Sequence, residues 1–453
     1  MHRRHFLKAA ATATTAAAIA AAPWVSALGR PRERLRVGLI GTGMRGQVLL
    51  SELLKQDGAD VVALCDVERF MLDRALAALA EAGRPAPQVF TGSDDAWRGM
   101  LADAKLDAVL IATPWELHAP QAIAAMEAKV AVGCEVVAGI TLQDHWDVLR
   151  AQQRTGTPYM LLENVCYRRD VLAALNMVRQ GLFGELVHVE GGYEHDLREV
   201  KFNSGVPGKP YGGGVEFGDK GWSEAKWRTP HSVRRNGELY PSHGIGPCAQ
   251  WLDVHRGNRF ARLTSYASKP RGLHDYVVQR GGAQHPNAKV DFALGDVVTT
   301  QIACENGETV LLTHDTSLPR PYSLGFRVQG TGGIWMDLNQ SLYLEGKSPE
   351  AHRWEPAQPW FDRYDHPLWR RLGERAAGGG HGGMDFFVVH AFVEALRAGE
   401  PMPIDVYDAV AWSAITPLSE QSIAEGNRTL EFPDFTEGAW KDRKRIFALD
   451  DRY

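Results

Sequence analysis

The order of apolar and polar positions divides the chain into two textures. From Leu35 to about Pro158, short apolar runs alternate with stretches of helical period, the pattern of βαβ units on a doubly wound parallel sheet. Residues 35–40, 61–65 and 108–112 read as the first, second and fourth strands, with helices over 46–54 and 69–82. After Tyr159 the texture changes. Strand-like pieces at 186–191, 262–268, 296–304 and 309–313 recur between Gly, Pro and Asn breaks, which predicts an α+β second domain on a large, mostly antiparallel sheet. Segments 201–220 and 270–289 are rich in Gly, Pro and charge and read as long loops. Residues 384–397 and 406–425 have helical character, which brings the C-terminus back onto the sheet. Two domains follow, 34–158 and 159–453, with no internal repeat.

Composition supports this division and narrows the partners. The chain has 453 residues, of which 44% are hydrophobic and 9% aromatic, enough for two sizeable cores. Lys and Arg number 50 against 55 Asp and Glu, so a net charge of −5 gives no electrostatic case for nucleic acid or an anionic membrane. A neutral small molecule fits better. The five cysteines, Cys65, Cys134, Cys166, Cys248 and Cys304, are odd in number, widely spaced and free of any C-x-x-C pair. They read as buried thiols rather than a disulfide framework or metal site.

The first thirty residues read as a leader. Arg3-Arg4-His5-Phe6-Leu7-Lys8 is a twin-arginine pattern, followed by an Ala/Thr run over 9–22 and by Val25-Ser26-Ala27, which suits cleavage after Ala27. The run is too short and too Ala-rich to span a bilayer, so the expectation is a periplasmic or secreted protein without stable membrane insertion.

Gly41-Thr42-Gly43-Met44-Arg45-Gly46 is a G-x-G-x-x-G directly after the first strand, at the opening of the first helix. Gly41 permits the tight turn, Gly43 lets the backbone approach a pyrophosphate, and Gly46 allows close packing at a positive helix end. The second strand leads to Asp66, 20 residues beyond Gly46, where a carboxylate would accept from ribose hydroxyls and repel a 2′-phosphate. A Rossmann domain that binds NAD rather than NADP is the expectation; the alternative is a glycine turn that binds nothing. Thr113-Pro114-Trp115-Glu116-Leu117-His118 follows the fourth strand, at the edge of the same crevice. His118 either touches the nicotinamide side or orients the helix it begins.

Ala112-Thr113-Pro114 with His118, and then Gly133-Cys134-Glu135, resemble the Gfo/Idh/MocA oxidoreductases. Ordinary dehydrogenases of that family carry E-K-P and a later D-x-x-x-H. Here Val136 and Val137 follow Glu135, and Leu239 stands four residues before His243, so a dehydrogenase proton relay would lack two members. Other blocks are similar to glycoside hydrolase family 109: Glu163-Asn164-Val165-Cys166-Tyr167, Gly192-Tyr193-Glu194-His195-Asp196-Leu197-Arg198, Trp227-Arg228, Tyr240-Pro241-Ser242-His243-Gly244, Pro319-Arg320-Pro321-Tyr322 and Gly382-Gly383-Met384-Asp385. The family usually reads Glu-Val-Pro where this chain has Glu135-Val136-Val137. The resemblance implies an α-N-acetylgalactosaminidase acting through NAD: oxidation at the sugar C3, loss of the C2 proton and of the C1 leaving group, addition of water, and return of the hydride. It adds Thr113, Trp115, His118, Glu135 and Asn164 to the glycine turn and Asp66 as cofactor residues.

Ordinary glycosidases need two opposed carboxylates for an oxocarbenium-like transition state, whereas a redox route needs a hydride acceptor and proton shuttles. His243 and Tyr240, beside Pro241-Ser242 and Gly244, are candidates for the C3 hydroxyl proton, since imidazole titrates near working pH. Tyr193 is the candidate for the C2 proton, Glu163 for binding or orienting the sugar or its water, and Arg228 and Tyr322 for hydroxyl or acetamido groups. His195 and Asp196 are alternatives, and each His and Tyr also has a plain reading as a structural strand residue. Export fits an enzyme that returns its hydride, because one held NAD travels with the folded protein. Two further readings are a periplasmic NAD(P)-dependent sugar oxidoreductase with tightly bound cofactor, similar to glucose–fructose oxidoreductase, and a noncatalytic carbohydrate-binding protein on a Rossmann scaffold. An exposed sheet face would offer a surface for a homodimer.

Overall fold

The computed structural model describes residues 33–453, so the leader read from residues 1–30 lies outside the described residues. Six strands form the first sheet: β1 (Leu35–Ile40), β2 (Ala59–Cys65), β3 (Gln88–Phe90), β4 (Ala108–Ile111), β5 (Ala131–Cys134) and β6 (Tyr159–Leu161). All pairings are parallel, in the order β3-β2-β1-β4-β5-β6. Helices cover both faces, so β4 and β5 are buried at every position, which is why their sequences are unbroken apolar runs. Strand order reverses at β1 and β4, and the crevice beyond their C-terminal ends is where such folds bind ligands. The sheet runs past residue 158, because buried Tyr159–Leu161 is its outermost strand. The first helix, Met44–Leu54, begins two residues earlier than its apolar period suggests, so Gly46 stands in its first turn.

The second sheet has nine strands: β7 (Leu186–Glu194), β8 (Phe260–Ala267), β9 (Val297–Cys304), β10 (Thr309–Asp315), β11 (Arg327–Gly330), β12 (Gly333–Met336), β13 (Ser341–Leu344), β14 (Glu355–Pro356) and β15 (Leu430–Glu431). Their order is β14-β13-β12-β11-β7-β10-β9-β8-β15, antiparallel except for β7 with β10. Buried and more open positions alternate along β9 and β10, so one face packs on helices and the other looks outward.

Two expectations change. Segment 270–289 is not a loop: it holds a helix, Gly272–Gly281, and a 3-10 turn, Pro286–Lys289. Leu273, Tyr276 and Val277 share a helix face and bury in a small cluster with Phe202, Val215 and Phe292, separate from the main core. The late helices Met384–Ala398 and Val406–Ala424 do more than return to the second sheet. The former packs on helix Met44–Leu54, and the latter bridges helix Leu142–Thr155, β6 and β8. Both are buried nearly all round, as helices lying between two layers must be.

The five cysteines are buried free thiols. Among the described residues no cluster of three His, Cys, Asp or Glu could hold a metal, and no helix is long and apolar enough to cross a membrane.

Candidate active site

A cavity of about 710 Å³ runs from the glycine turn after β1 to the aromatic side chains at the end of β7. Its first half is made mainly by backbone. Gly41 has φ +87°, and a Cβ there would lie 2.6 Å from the Ala112 carbonyl oxygen. At Gly46 a Cβ would lie 2.0 Å from the Gly41 carbonyl oxygen, whereas at Gly43 it would meet nothing within 4 Å, leaving that backbone open to the cavity. Asp66 lines the wall and also anchors the turn: one carboxylate oxygen accepts from the Thr42 amide (2.6 Å) and hydroxyl (3.1 Å), and the other from the Glu68 amide (2.8 Å). Burial raises its carboxyl, and these hydrogen bonds oppose that rise.

Thr113 and His118 brace this half. The Thr113 hydroxyl donates to Gln121 at 2.7 Å. His118 is buried, with Nδ1 2.6 Å from the Val137 carbonyl oxygen and Nε2 2.7 Å from that of Thr113. It clamps two loops while its edge reaches the cavity, and burial lowers its basicity. Arg45 and Asn164 converge on one buried acid, Asp385, and Arg45 also holds Glu135. Arg45 pairs with Glu135 (2.6 Å) and with Asp385 (2.8 Å), and the Asn164 side-chain amide donates to Asp385 at 2.7 Å. Burial pushes the Asp385 carboxyl up, but Arg45 and His381 outweigh it and hold the group below the usual carboxylate range. Glu135 is raised by burial against the pull of Arg45.

The second half is built by side chains brought together by a close backbone approach. Helix Ser242–Trp251 lies directly on β7, because a Cβ on Gly244 would be 2.5 Å from the Gly192 nitrogen and one on Gly191 2.7 Å from the Gly244 carbonyl oxygen. That contact sets His243 against Tyr193, ring centroids 5.2 Å apart, with Tyr240 4.8 Å from His243 and 4.6 Å from Tyr193. His243 is thus a helix residue rather than a strand residue. Behind it stands Glu163, fully buried, whose carboxylate lies 2.7 and 2.9 Å from Nδ1 of His243 and accepts from the Val165 amide. Glu163, the candidate for binding or orienting the sugar or its water, thus stands behind His243 rather than on the cavity wall. The Tyr193 hydroxyl lies 3.1 Å from His195 Nδ1. Burial raises the phenols of Tyr193 and Tyr240, while burial and then Arg228 lower His195.

Arg228 is enclosed by Trp115, Trp227 and Tyr240, its guanidinium carbon 5.0, 5.2 and 5.3 Å from their ring centroids, and it pairs with Glu224 at 2.7 Å. Trp115, expected on the cofactor side, thus also walls the aromatic half. Tyr322 is about half exposed (49%), with its ring 4.9 Å from that of His195, a residue of the cavity wall.

Two family models match successive parts of this chain. The model of the glycosyl hydrolase 109 C-terminal domain covers residues 167–442, and that of the oxidoreductase family NAD-binding Rossmann fold covers 35–162. A glycosyl hydrolase family 109 protein of Stenotrophomonas maltophilia is 64% identical over 456 residues, spanning 100% of this chain and 99% of the relative. The chain belongs to glycosyl hydrolase family 109. An α-N-acetylgalactosaminidase of Tannerella forsythia is 51% identical over 93% of this chain and 90% of its own length. Among solved structures, an NAD-binding oxidoreductase from Klebsiella pneumoniae superposes with TM-score 0.65 at 18% identity over 89% of this chain and 100% of its own. A levoglucosan dehydrogenase with NADH and levoglucosan gives 0.63 at 20% over 88% and 100%. At such identities these share the fold.

This family 109 member is accordingly a glycoside hydrolase carrying an NAD-binding Rossmann domain. Sequence reasoning missed His381, which lines the cavity, and Glu224, which pairs with Arg228. The run of glycines at 378–383 around a single histidine was the available signal for His381.

Proposed function

We propose that this family 109 enzyme hydrolyses α-N-acetylgalactosaminides by an oxidation, elimination, addition and reduction cycle with no net redox change. One observation carries the reading: His243, backed by Glu163, and the Tyr193–His195 pair line the same cavity as the glycine turn, while the carboxylates beside them are committed to arginines. Glu135 pairs with Arg45 and Glu224 with Arg228, so neither is a free acid for the two-carboxylate route. The names of the relatives support the sugar class.

The turn fits a dinucleotide. Gly43 leaves a cradle that a Cβ would fill, Gly41 and Gly46 admit no side chain, and Asp66 faces the space where a ribose would lie. Met44 and the backbone of Thr42 complete the turn, and Asn164 has a buried side-chain oxygen without a protein partner on the cavity wall. NAD bound there supplies a hydride acceptor that is restored by the end of each cycle.

The protein's own groups move the protons. With Nδ1 hydrogen-bonded to Glu163, His243 keeps Nε2 to accept the proton of the C3 hydroxyl and later give it back. Tyr240, packed on that ring, fixes its plane and offers a hydroxyl to the same oxygen. Beside a C3 carbonyl the C2 hydrogen is acidic. Tyr193 with His195 takes and returns it, since a phenol kept protonated by burial can act only by passing its own proton to the neutral imidazole. Arg228, desolvated in its aromatic enclosure, orients the acetamido or hydroxyl groups. Export through a twin-arginine leader belongs to the same proposal, supported by the first thirty residues and by a cycle that needs no external NAD pool.

The test incubates the mature protein, without added cofactor, with p-nitrophenyl α-N-acetylgalactosaminide in deuterated water. Nitrophenol release with deuterium at C2 of the product is expected. Cleavage without deuterium at C2 would exclude the elimination route, and net oxidation of a free sugar would favour the oxidoreductase reading.

A further inference from the structure

We infer that His381 is a dinucleotide-retaining residue, held over the cofactor half of the cavity by a glycine strap from the second domain; this rests on NAD being the resident cofactor. Gly378-Gly379-Gly380-His381-Gly382-Gly383 crosses beside helix Met44–Leu54, whose N-terminus is the cofactor turn. The strap is pinned rather than loose. The Gly380 amide donates to Glu52 of that helix at 3.0 Å, and a Cβ on Gly380 would lie 2.8 Å from Val48 and 2.2 Å from Asp385. Within it His381 takes the left-handed conformation (φ 51°, ψ 45°) between residues free to do so. A β-carbon disfavours that conformation, so the place suits glycine, and a side chain there calls for a use.

The charge around the wall supplies that use. Nδ1 of His381 is 2.6 Å from the Asp385 carboxylate, which also receives Arg45 and Asn164. Three other basic side chains on the wall are committed to carboxylates: Arg45 to Glu135 and Asp385, Lys226 to Glu68, and Arg228 to Glu224. Nε2 of His381 makes no hydrogen bond among the described residues, and its side chain is 58% exposed on the cavity wall. With Nδ1 fixed by a buried carboxylate that also holds Arg45 of helix Met44–Leu54, Nε2 is a directed polar atom beside the helix end that a dinucleotide's ribose and diphosphate oxygens would approach. Because strap and turn belong to different domains, a molecule between them is held from two sides and leaves slowly.

The experiment follows release of NAD from the full mature protein purified with its cofactor, diluted into an excess of an NAD-consuming scavenger, with the retained NAD extracted and quantified over time. His381→Ala is expected to release NAD about tenfold faster or more, as loss of a charge-assisted hydrogen bond implies. His381→Asn, which tolerates the left-handed backbone but cannot reach as far, serves if the alanine variant does not fold, and is expected to release NAD faster as well. Retention equal to the parent in a folded variant overturns the inference and leaves the resident-NAD reading intact. A parent that retains no NAD overturns that reading, and the inference with it.

Discussion

The two halves of the cavity are built by opposite means. The cofactor half is a matter of backbone: Gly41, Gly43 and Gly46 matter for the side chains they lack, and the three lie within six residues of chain. The aromatic half is a matter of side chains from Glu163, Tyr193, Arg228, Tyr240 and His243, which meet because β7 and helix Ser242–Trp251 touch through Gly191, Gly192 and Gly244. A local backbone device is intolerant of atoms added at its packed positions, Gly41 and Gly46. A convergent side-chain device is intolerant of lost ones, and its members differ in how much each loss matters.

The sharpest way to break that contrast is Gly46→Ala. A methyl group 2.0 Å from the Gly41 carbonyl oxygen cannot be accommodated without moving the turn, so NAD retention and activity are expected to vanish together. Extraction of NAD from the purified variant checks this; a variant that keeps its NAD would show that the turn gives way more easily than its packing suggests. In the other half, His243→Ala is expected to lower kcat by about 10³-fold while NAD stays bound, the scale of general acid–base catalysis. Glu163→Gln is expected to cost less, about 10²-fold, because the amide preserves shape and a carbonyl acceptor for Nδ1 but not the negative charge that stabilises a protonated imidazole. Equal losses for the two would mean that Glu163 acts on substrate after all, through a rearrangement that exposes it.

The same contrast decides what could be read from the sequence. The parallel sheet, the turn and Asp66 were legible because their signals are local: apolar runs, glycine spacing and an acid at the end of the next strand. The nine-stranded sheet was legible in kind, since its strands alternate, though its order was not, because β7 pairs with β10 and β11 across long intervals. The helix Gly272–Gly281 is faint in the sequence because only three buried apolar positions mark it and their partners, Phe202 and Phe292, come from flanking irregular segments rather than from the helix's own period. At the site, membership was carried by motif resemblance, while roles followed from depth. Nothing in Glu163-Asn164 tells that the acid lies behind His243, or that the amide faces Asp385, 221 residues away. His381 stayed hidden because a histidine among glycines has no period, and its meaning comes from an acid one turn later.

The smallest effect expected concerns how the aromatic half is held. Glu238 is 1% exposed, accepts a hydrogen bond from the Tyr240 amide at 3.1 Å, and has a second oxygen without a partner. Burial pushes its carboxyl up to about 8, so at neutral pH the folded protein keeps this acid protonated, whereas the unfolded chain ionises it near its ordinary value of about 4.3. Between those values the folded state binds a proton that the unfolded state does not, and this group's contribution to stability falls as pH rises across the window. Glu238→Gln keeps a neutral, similarly shaped partner for the Tyr240 amide and removes the titration. The variant is therefore expected to gain on the parent in melting temperature between pH 5 and pH 8, by a few degrees, while kcat at pH 6 changes little. A difference in melting temperature that is the same at both pH values would mean that Glu238 does not titrate in this window, and that a buried charge rather than a buried acid stands beneath Tyr240.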